Sequence, residues 1–126
     1  MRAREEAEVR EVMAVYFEGL HHSDSRVLRQ VFHRNLLYVN ATPSHHECLD
    51  LDHYMARIDA RRSPASRGDP RQEVIERVTV KGGQMGLVEA RMTMLNRAYQ
   101  DLLTLIHTDD GWKVIAKVFS FVEKKE

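Results

Sequence analysis

Residues Tyr99 to Phe121 read YQDLLTLIHTDDGWKVIAKVFSF. Two β-prone apolar runs, Tyr99–His107 and Trp112–Phe121, flank Thr108-Asp109-Asp110-Gly111. Asp-Gly between apolar runs is a strong hairpin signal, because glycine supplies the positive φ that tight turns demand. Both runs carry large residues at odd and even positions, the pattern of strands covered on both faces. A two- or four-residue loop would put Asp101 and Lys117 on opposite faces of the sheet. If Asp109-Asp110-Gly111 is instead a three-residue loop with Gly111 in the left-handed region, Thr108 pairs with Trp112. Counting outward, Leu103 faces Lys117 and Asp101 faces Phe119, so Asp101 and Lys117 become diagonal neighbours on one face. That face also takes Tyr99, Leu105, Ile115 and Phe121, while Leu102, Thr104, Ile106, Trp112, Val114, Ala116 and Val118 take the other. An isolated charge beside those aromatics is costly, so Asp101 and Lys117 are expected to pair. The pair either lines a ligand cavity or forms a structural ion pair at a dimer face or rim.

Upstream of the hairpin lie two more strands, Gln72–Lys81 and Met85–Asn96, joined by Gly82-Gly83-Gln84. In the first, Val74, Val78 and Val80 share a face that Glu76 interrupts; in the second, Val88, Ala90, Met92 and Met94 share one. At the other end of the chain, Val9, Val12, Met13, Tyr16, Phe17 and Leu20 follow helical spacing and predict a helix over residues 4–21. Gly19 sits near its end, where another element can approach closely. Ser23 or Asp24 caps a short second helix reaching Val31. Short strands are expected at Leu36–Ala41 and Glu47–Leu51, then a helix over His53–Arg61 capped by Asp52. RRSPASRGDP, residues 61–70, has no periodicity and no apparent apolar anchor, and is expected to be the most mobile internal segment. Residues 123–126 form a charged tail. Helices first and strands last give the α+β class: a curved antiparallel sheet wrapping over the helices and leaving a cavity between the layers.

At 126 residues the chain is one domain, residues 1–126, long enough for a real core. Lys+Arg 19 against Asp+Glu 19 leaves no global field to draw it to nucleic acid or an anionic membrane, and no aromatic platform accompanies its arginines. No apolar run approaches the roughly 20 residues that span a bilayer, and MRAREEAEVR lacks the apolar region of a secretory signal. The single Cys48 forms no internal disulfide and fits a reducing, cytoplasmic setting.

Tyr16-x-x-Gly19, Phe32-His33, Asp101-Leu102-Leu103-Thr104-Leu105 and Gly111-Trp112-Lys113-Val114-Ile115-Ala116-Lys117-Val118-Phe119 occur in this order. Together they resemble the putative lumazine-binding family within the nuclear transport factor 2-like (SnoaL-like) superfamily. The resemblance runs from about Val9 to Val122. It implies a cone-shaped α+β barrel with one open pocket, paired as a homodimer through the outer sheet face. The superfold includes isomerases, dehydratases, cyclases, transport factors and binding proteins, so it does not by itself name a function.

Enzymes on this fold place a carboxylate base and polar donors in an apolar pocket, which raises a carboxyl pKa and strengthens hydrogen bonds to a developing oxyanion. Asp101 and Glu76 are the candidate catalytic carboxylates. Tyr16, His33, Tyr38, Tyr54, Asp101, Lys117 and Phe119 are the candidate pocket residues. The seven histidines lack the ligand spacing of a zinc site, and neither metal nor cofactor is expected. Gly82-Gly83-x-x-Gly86 joins two strands and lacks the Lys-Ser/Thr of a phosphate loop. Arg57, Arg61, Arg62, Arg67 and Arg71 offer an anion site, with a solvated loop as the favoured reading. The leading function is the binding of a small, partly apolar molecule. An isomerase, dehydratase or cyclase using a pocket carboxylate with tyrosine donors comes next, and a structural dimeric accessory domain third.

Overall fold

The computed structural model describes residues 2–124. In chain order it comprises α1 (Arg2–His21), α2 (Ser25–Val31), β1 (Phe32–Asn40), β2 (Glu47–Leu49), α3 (Leu51–Ala60), β3 (Gln72–Lys81), β4 (Met85–Met94), β5 (Arg97–Thr108) and β6 (Gly111–Glu123). The apolar stripe of α1 is buried at Val9, Met13, Tyr16, Phe17 and Leu20. Gly19 lets α2 cross close by: a Cβ there would lie 2.7 Å from Leu28 Cγ and Cδ2. Asp24 caps α2, accepting hydrogen bonds from the Arg26 and Val27 amides at 3.0 and 3.3 Å. The cap of α3 is Asp50 rather than Asp52: Asp50 accepts from the His53 amide at 2.9 Å. Starting the helix earlier buries Leu51 and leaves Asp52 in the first turn, paired with Arg29 at 3.0 Å.

The six strands form one sheet in the order β2-β1-β6-β5-β4-β3. It is mixed, not wholly antiparallel as expected, because β1 runs parallel to β6. A parallel pair needs a crossover connection, and the long chain excursion between β1 and β6 supplies it. The inner face packs Val88, Leu103, Leu105, Trp112 and Val114 against the helices. Trp112 also donates its indole N–H to Glu8 of α1 at 3.2 Å.

Two bulges set which side chains face inward. Between β5 and β6 the turn holds two residues, not three: Thr108 pairs with Gly111, whose φ is 98°, and His107 with Trp112. The extra residue is Ile115, since Leu105 pairs with Val114 but Thr104 with Ala116. Beyond it Leu103 faces Lys117 and Asp101 faces Phe119, as the loop count had placed them. Between turn and bulge the faces are exchanged, so Trp112 and Val114 are buried on the inner face, not the outer one. In β3 the extra residue is Glu76, between the pairs Ile75–Ala90 and Arg77–Glu89. Val74 therefore turns outward, 47% exposed, away from the face of Val78 and Val80.

The segment at 61–70 has an anchor after all. Pro64 is fully buried, the Ala65 amide donates to the His21 carbonyl at 2.9 Å, and Asp69 accepts from the Leu95 amide at 3.0 Å. Of the expected charged tail, Glu123 closes β6 and pairs with Arg97 at 3.1 Å, while 125–126 lie outside the described residues. Among the described residues no helix is long and apolar enough to cross a membrane.

Candidate functional site

Strand alternation in β5 and β6 carries one acid and one base into the interior: Asp101 is 2% exposed and Lys117 4%. They do not form a direct ion pair. The Tyr16 hydroxyl donates to Asp101 Oδ2 at 3.2 Å, and Lys117 Nζ donates to the Tyr54 hydroxyl at 3.1 Å. Asp101 Oδ1 is enclosed and has no hydrogen-bond partner among the described residues. Lys117 Nζ lies 5.1 Å from the Tyr16 ring centroid and 5.3 Å from those of Tyr54 and Phe119, a cation enclosed by ring faces.

Burial raises the Asp101 pKa above the usual carboxylate range, while Lys117 and the Tyr16 hydrogen bond pull the other way. For Lys117 burial opposes the charge, but the Tyr16, Tyr54 and Asp101 oxygens outweigh it and the pKa is raised. Tyr16 is raised by burial and by Asp101. Burial also pushes Tyr38 up to about 12. Groups whose pKa is raised by folding contribute stability that is present below their unfolded values and lost as pH climbs through the folded ones. Lys117, Tyr16 and Tyr38 therefore all weaken the fold above about pH 10, their ordinary range. An ultraviolet titration is expected to show the Tyr16 phenolate appearing only together with alkaline unfolding, and Tyr16→Phe to take one tyrosine out of a late phase that Tyr38 shares. Ionisation of all four tyrosines near pH 10 in a still-folded chain would contradict this.

Above this pair opens a cavity of about 960 Å³. Tyr38, Tyr54, Tyr99 and Phe119 line its depth, with Tyr38 stacked near Tyr54 at 4.1 Å between centroids and near Phe119 at 5.0 Å. Asp101 and Lys117 are not among its lining residues; the rings of Tyr38, Tyr54 and Phe119 stand around Lys117 and also face the cavity. The rim is basic: Arg57, Arg61, Arg62, Arg67 and Arg97 against Glu47 and Glu123. It is assembled from the end of α3, the segment after it, the β1–β2 loop with His45 and His46, and the start of β5.

The structure thus brings Tyr38, Tyr54 and Phe119 to the cavity and sets Tyr16, Asp101 and Lys117 behind them. His33 lies elsewhere on β1, its Nδ1 accepting from the Asn35 amide at 3.0 Å. Glu76, the β3 bulge residue, is exposed and bonded to Arg91 at 2.8 Å. Four of the five grouped arginines reach the rim, and Arg71 instead meets Glu18 and Glu73. Sequence reasoning missed Tyr99, Phe121 and Arg97 as lining residues. The signal was present for two of them, because Tyr99 and Phe121 fall on the sheet face of Asp101. Among the described residues no three His, Cys, Asp or Glu side chains gather as a metal site.

Helices followed by a curved six-stranded sheet with a cavity at its open end define the nuclear transport factor 2-like fold. The chain belongs to the family described as "Putative lumazine-binding", whose sequence model matches residues 4–120. A nuclear transport factor 2-like protein of unknown function from Shewanella baltica superposes with a TM-score of 0.87 at 17% identity, covering 98% of each chain. One from Silicibacter pomeroyi gives 0.80 at 17% identity, covering 97% of this chain and 100% of its own. A ketosteroid isomerase-like protein from Erwinia carotovora gives 0.73 at 14% identity, covering 94% and 97%. At these identities the likeness is one of fold. No curated protein matches the chain.

Proposed function

We propose that the protein binds a small, partly apolar molecule in the mouth of the cone. The observation that carries this is the open cavity of about 960 Å³ with aromatic rings at its base, within the size range of small-molecule sites. The family's description accords with a small-molecule ligand. An isomerase, dehydratase or cyclase reaction has less support. Asp101 keeps a raised pKa and a free Oδ1, but it is 2% exposed behind the rings, and Glu76 is exposed and paired with Arg91. A purely structural role, which expects a cone filled by its own side chains, has less support still.

N-phenyl-1-naphthylamine, a neutral fluorophore, tests the binding reading. Its emission is expected to rise and saturate with one site per chain. Ala60→Trp, at an exposed lining position at the end of α3, is expected to abolish the rise without altering the fold. No enhancement, or enhancement unaffected by that bulky side chain, would sink the idea.

The outer sheet face supports a second proposal, a homodimer. Leu37, Leu87 and Leu102 are 49%, 37% and 50% exposed on β1, β4 and β5, too many aliphatics for an unpartnered face. Sedimentation equilibrium at micromolar concentration is expected to give twice the 14.7 kDa chain mass, and Leu102→Glu to return it to the single-chain mass. A wild-type chain sedimenting at its own mass would end this proposal.

A further inference from the structure

We infer that the molecule held in the mouth is an aromatic anion whose acidic group is received by Arg61 and Arg62; this rests on the binding reading above. The five rim arginines are not equivalent. Arg57 holds Glu47 with both terminal nitrogens at 2.5 Å. Arg97 bonds Glu123 at 3.1 Å and lies 4.0 Å over the Phe121 ring. Arg67 reaches Asp69 at 4.0 Å. Those three charges are compensated from within the chain. Arg61 and Arg62 have no carboxylate partner among the described residues: Arg61 Nε donates to Ser23 Oγ at 3.1 Å, and Arg62 reaches only the Ser66 carbonyl at 3.5 Å.

Arg61 carries a second mark. Its Nη2 is enclosed yet has no hydrogen-bond partner among the described residues. An enclosed donor left unsatisfied is costly, so such atoms call for an explanation. Enclosure keeps Nη2 itself from the cavity, but it fixes the guanidinium. Its Nη1 is neither enclosed nor hydrogen-bonded among the described residues and can donate to a carboxylate, sulfonate or phosphate oxygen beside Arg62. Beside these two cations lie the Tyr38, Tyr54, Tyr99 and Phe119 rings, which suit a flat apolar body. An acid at one end and an aromatic plane at the other is the chemistry this cavity complements. The excess of rim arginines over glutamates also favours approach of an anion at low salt.

Two probes with one skeleton separate this inference from the binding reading. 1-Anilinonaphthalene-8-sulfonate is N-phenyl-1-naphthylamine carrying a sulfonate. At low salt the sulfonate probe is expected to bind at least about tenfold more tightly than the neutral one, the factor expected of one charge-assisted hydrogen bond. Arg62→Gln and Arg61→Gln are each expected to remove most of that preference, weakening the sulfonate probe far more than the neutral one. Circular dichroism melts check that the variants fold; Arg62, the more exposed of the two, keeps the test valid should Arg61→Gln unfold. Equal affinity for the two probes, or a preference that survives both substitutions, overturns the anion inference and leaves the binding reading standing. Failure of both probes to bind overturns the binding reading and the inference with it.

Discussion

Replacing Lys117 by methionine is expected to lower the unfolding free energy by about 3–5 kcal/mol at neutral pH, the cost of leaving a buried charge without a nearby countercharge. The methionine keeps most of the aliphatic stem, so the loss comes from the ammonium. Asp101 then remains 2% exposed with Oδ1 unpartnered and only Tyr16 to stabilise its charge. The Tyr54 hydroxyl loses its donor, and the rings around Nζ enclose a neutral thioether. The sign of the pH dependence follows from the carboxyl. Burial already raises the Asp101 pKa, and without the nearby cation it rises further. A carboxyl whose pKa is raised by folding favours the native state below its unfolded value of about 3.9 and loses that contribution as pH rises through the folded value. The deficit of the variant is therefore expected to shrink on acidification towards pH 4. Adding Asp101→Asn should recover part of it at neutral pH. Urea melts of the two single variants and the double variant measure this directly. Additive losses, or a Lys117→Met deficit unchanged by pH, would show that the two charges are not coupled.

The second large effect belongs to Trp112. Trp112→Ala is expected to cost about 3–5 kcal/mol, as other buried aromatic truncations do. Its indole is 5% exposed in the core cluster that also holds Val9 of α1, and its N–H reaches Glu8 at 3.2 Å. The hydrogen bond is the minor part: Glu8 is 39% exposed, so Glu8→Ala should cost no more than about 1 kcal/mol. Nearly all of the loss is then apolar contact and the cavity left behind. A Trp112→Ala loss below about 1 kcal/mol would place the indole on the outer face, where a three-residue turn would have put it.

That difference shows what was legible in the chain. The Asp101–Phe119 and Leu103–Lys117 pairings come out the same for a three-residue turn as for a two-residue turn followed by a bulge. Either arrangement inserts one extra residue on the β6 side. Asp-Asp-Gly announces a turn strongly, but nothing in Lys113-Val114-Ile115-Ala116 marks where a bulge falls, because each apolar residue there tolerates either face. Glu76 did leave a mark, as the one charge in an apolar alternation, and it proves to be the inserted residue. The helices were readable from their stripes. The α3 cap was not, since Asp50 and Asp52 are chemically equal and only the burial of Leu51 separates them. In the cavity the aromatic base was largely foreseeable from strand alternation. The rim was legible only in part: Arg57, Arg61, Arg62 and Arg67 stand together in the chain, but Arg97 and His45 come from distant segments that only the folded sheet brings to them.

The bulge at Glu76 has a consequence for how these molecules behave in a crowd. The sheet ends on β2, three residues long, and on β3, ten residues long. A long terminal strand offers unpaired amides and carbonyls on which another chain can template itself. The inserted Glu76 breaks the regular spacing of those groups halfway along, and Glu73, Arg77 and Lys81 place charge on either side of it. A chain lacking Glu76 would present an uninterrupted ladder, with Ile75 and Val78 on the inner row and Val74 still on the outer one. It would keep the same cavity, yet be able to polymerise edge to edge. One residue that contributes nothing to the core thus interrupts the edge on which a further strand could pair.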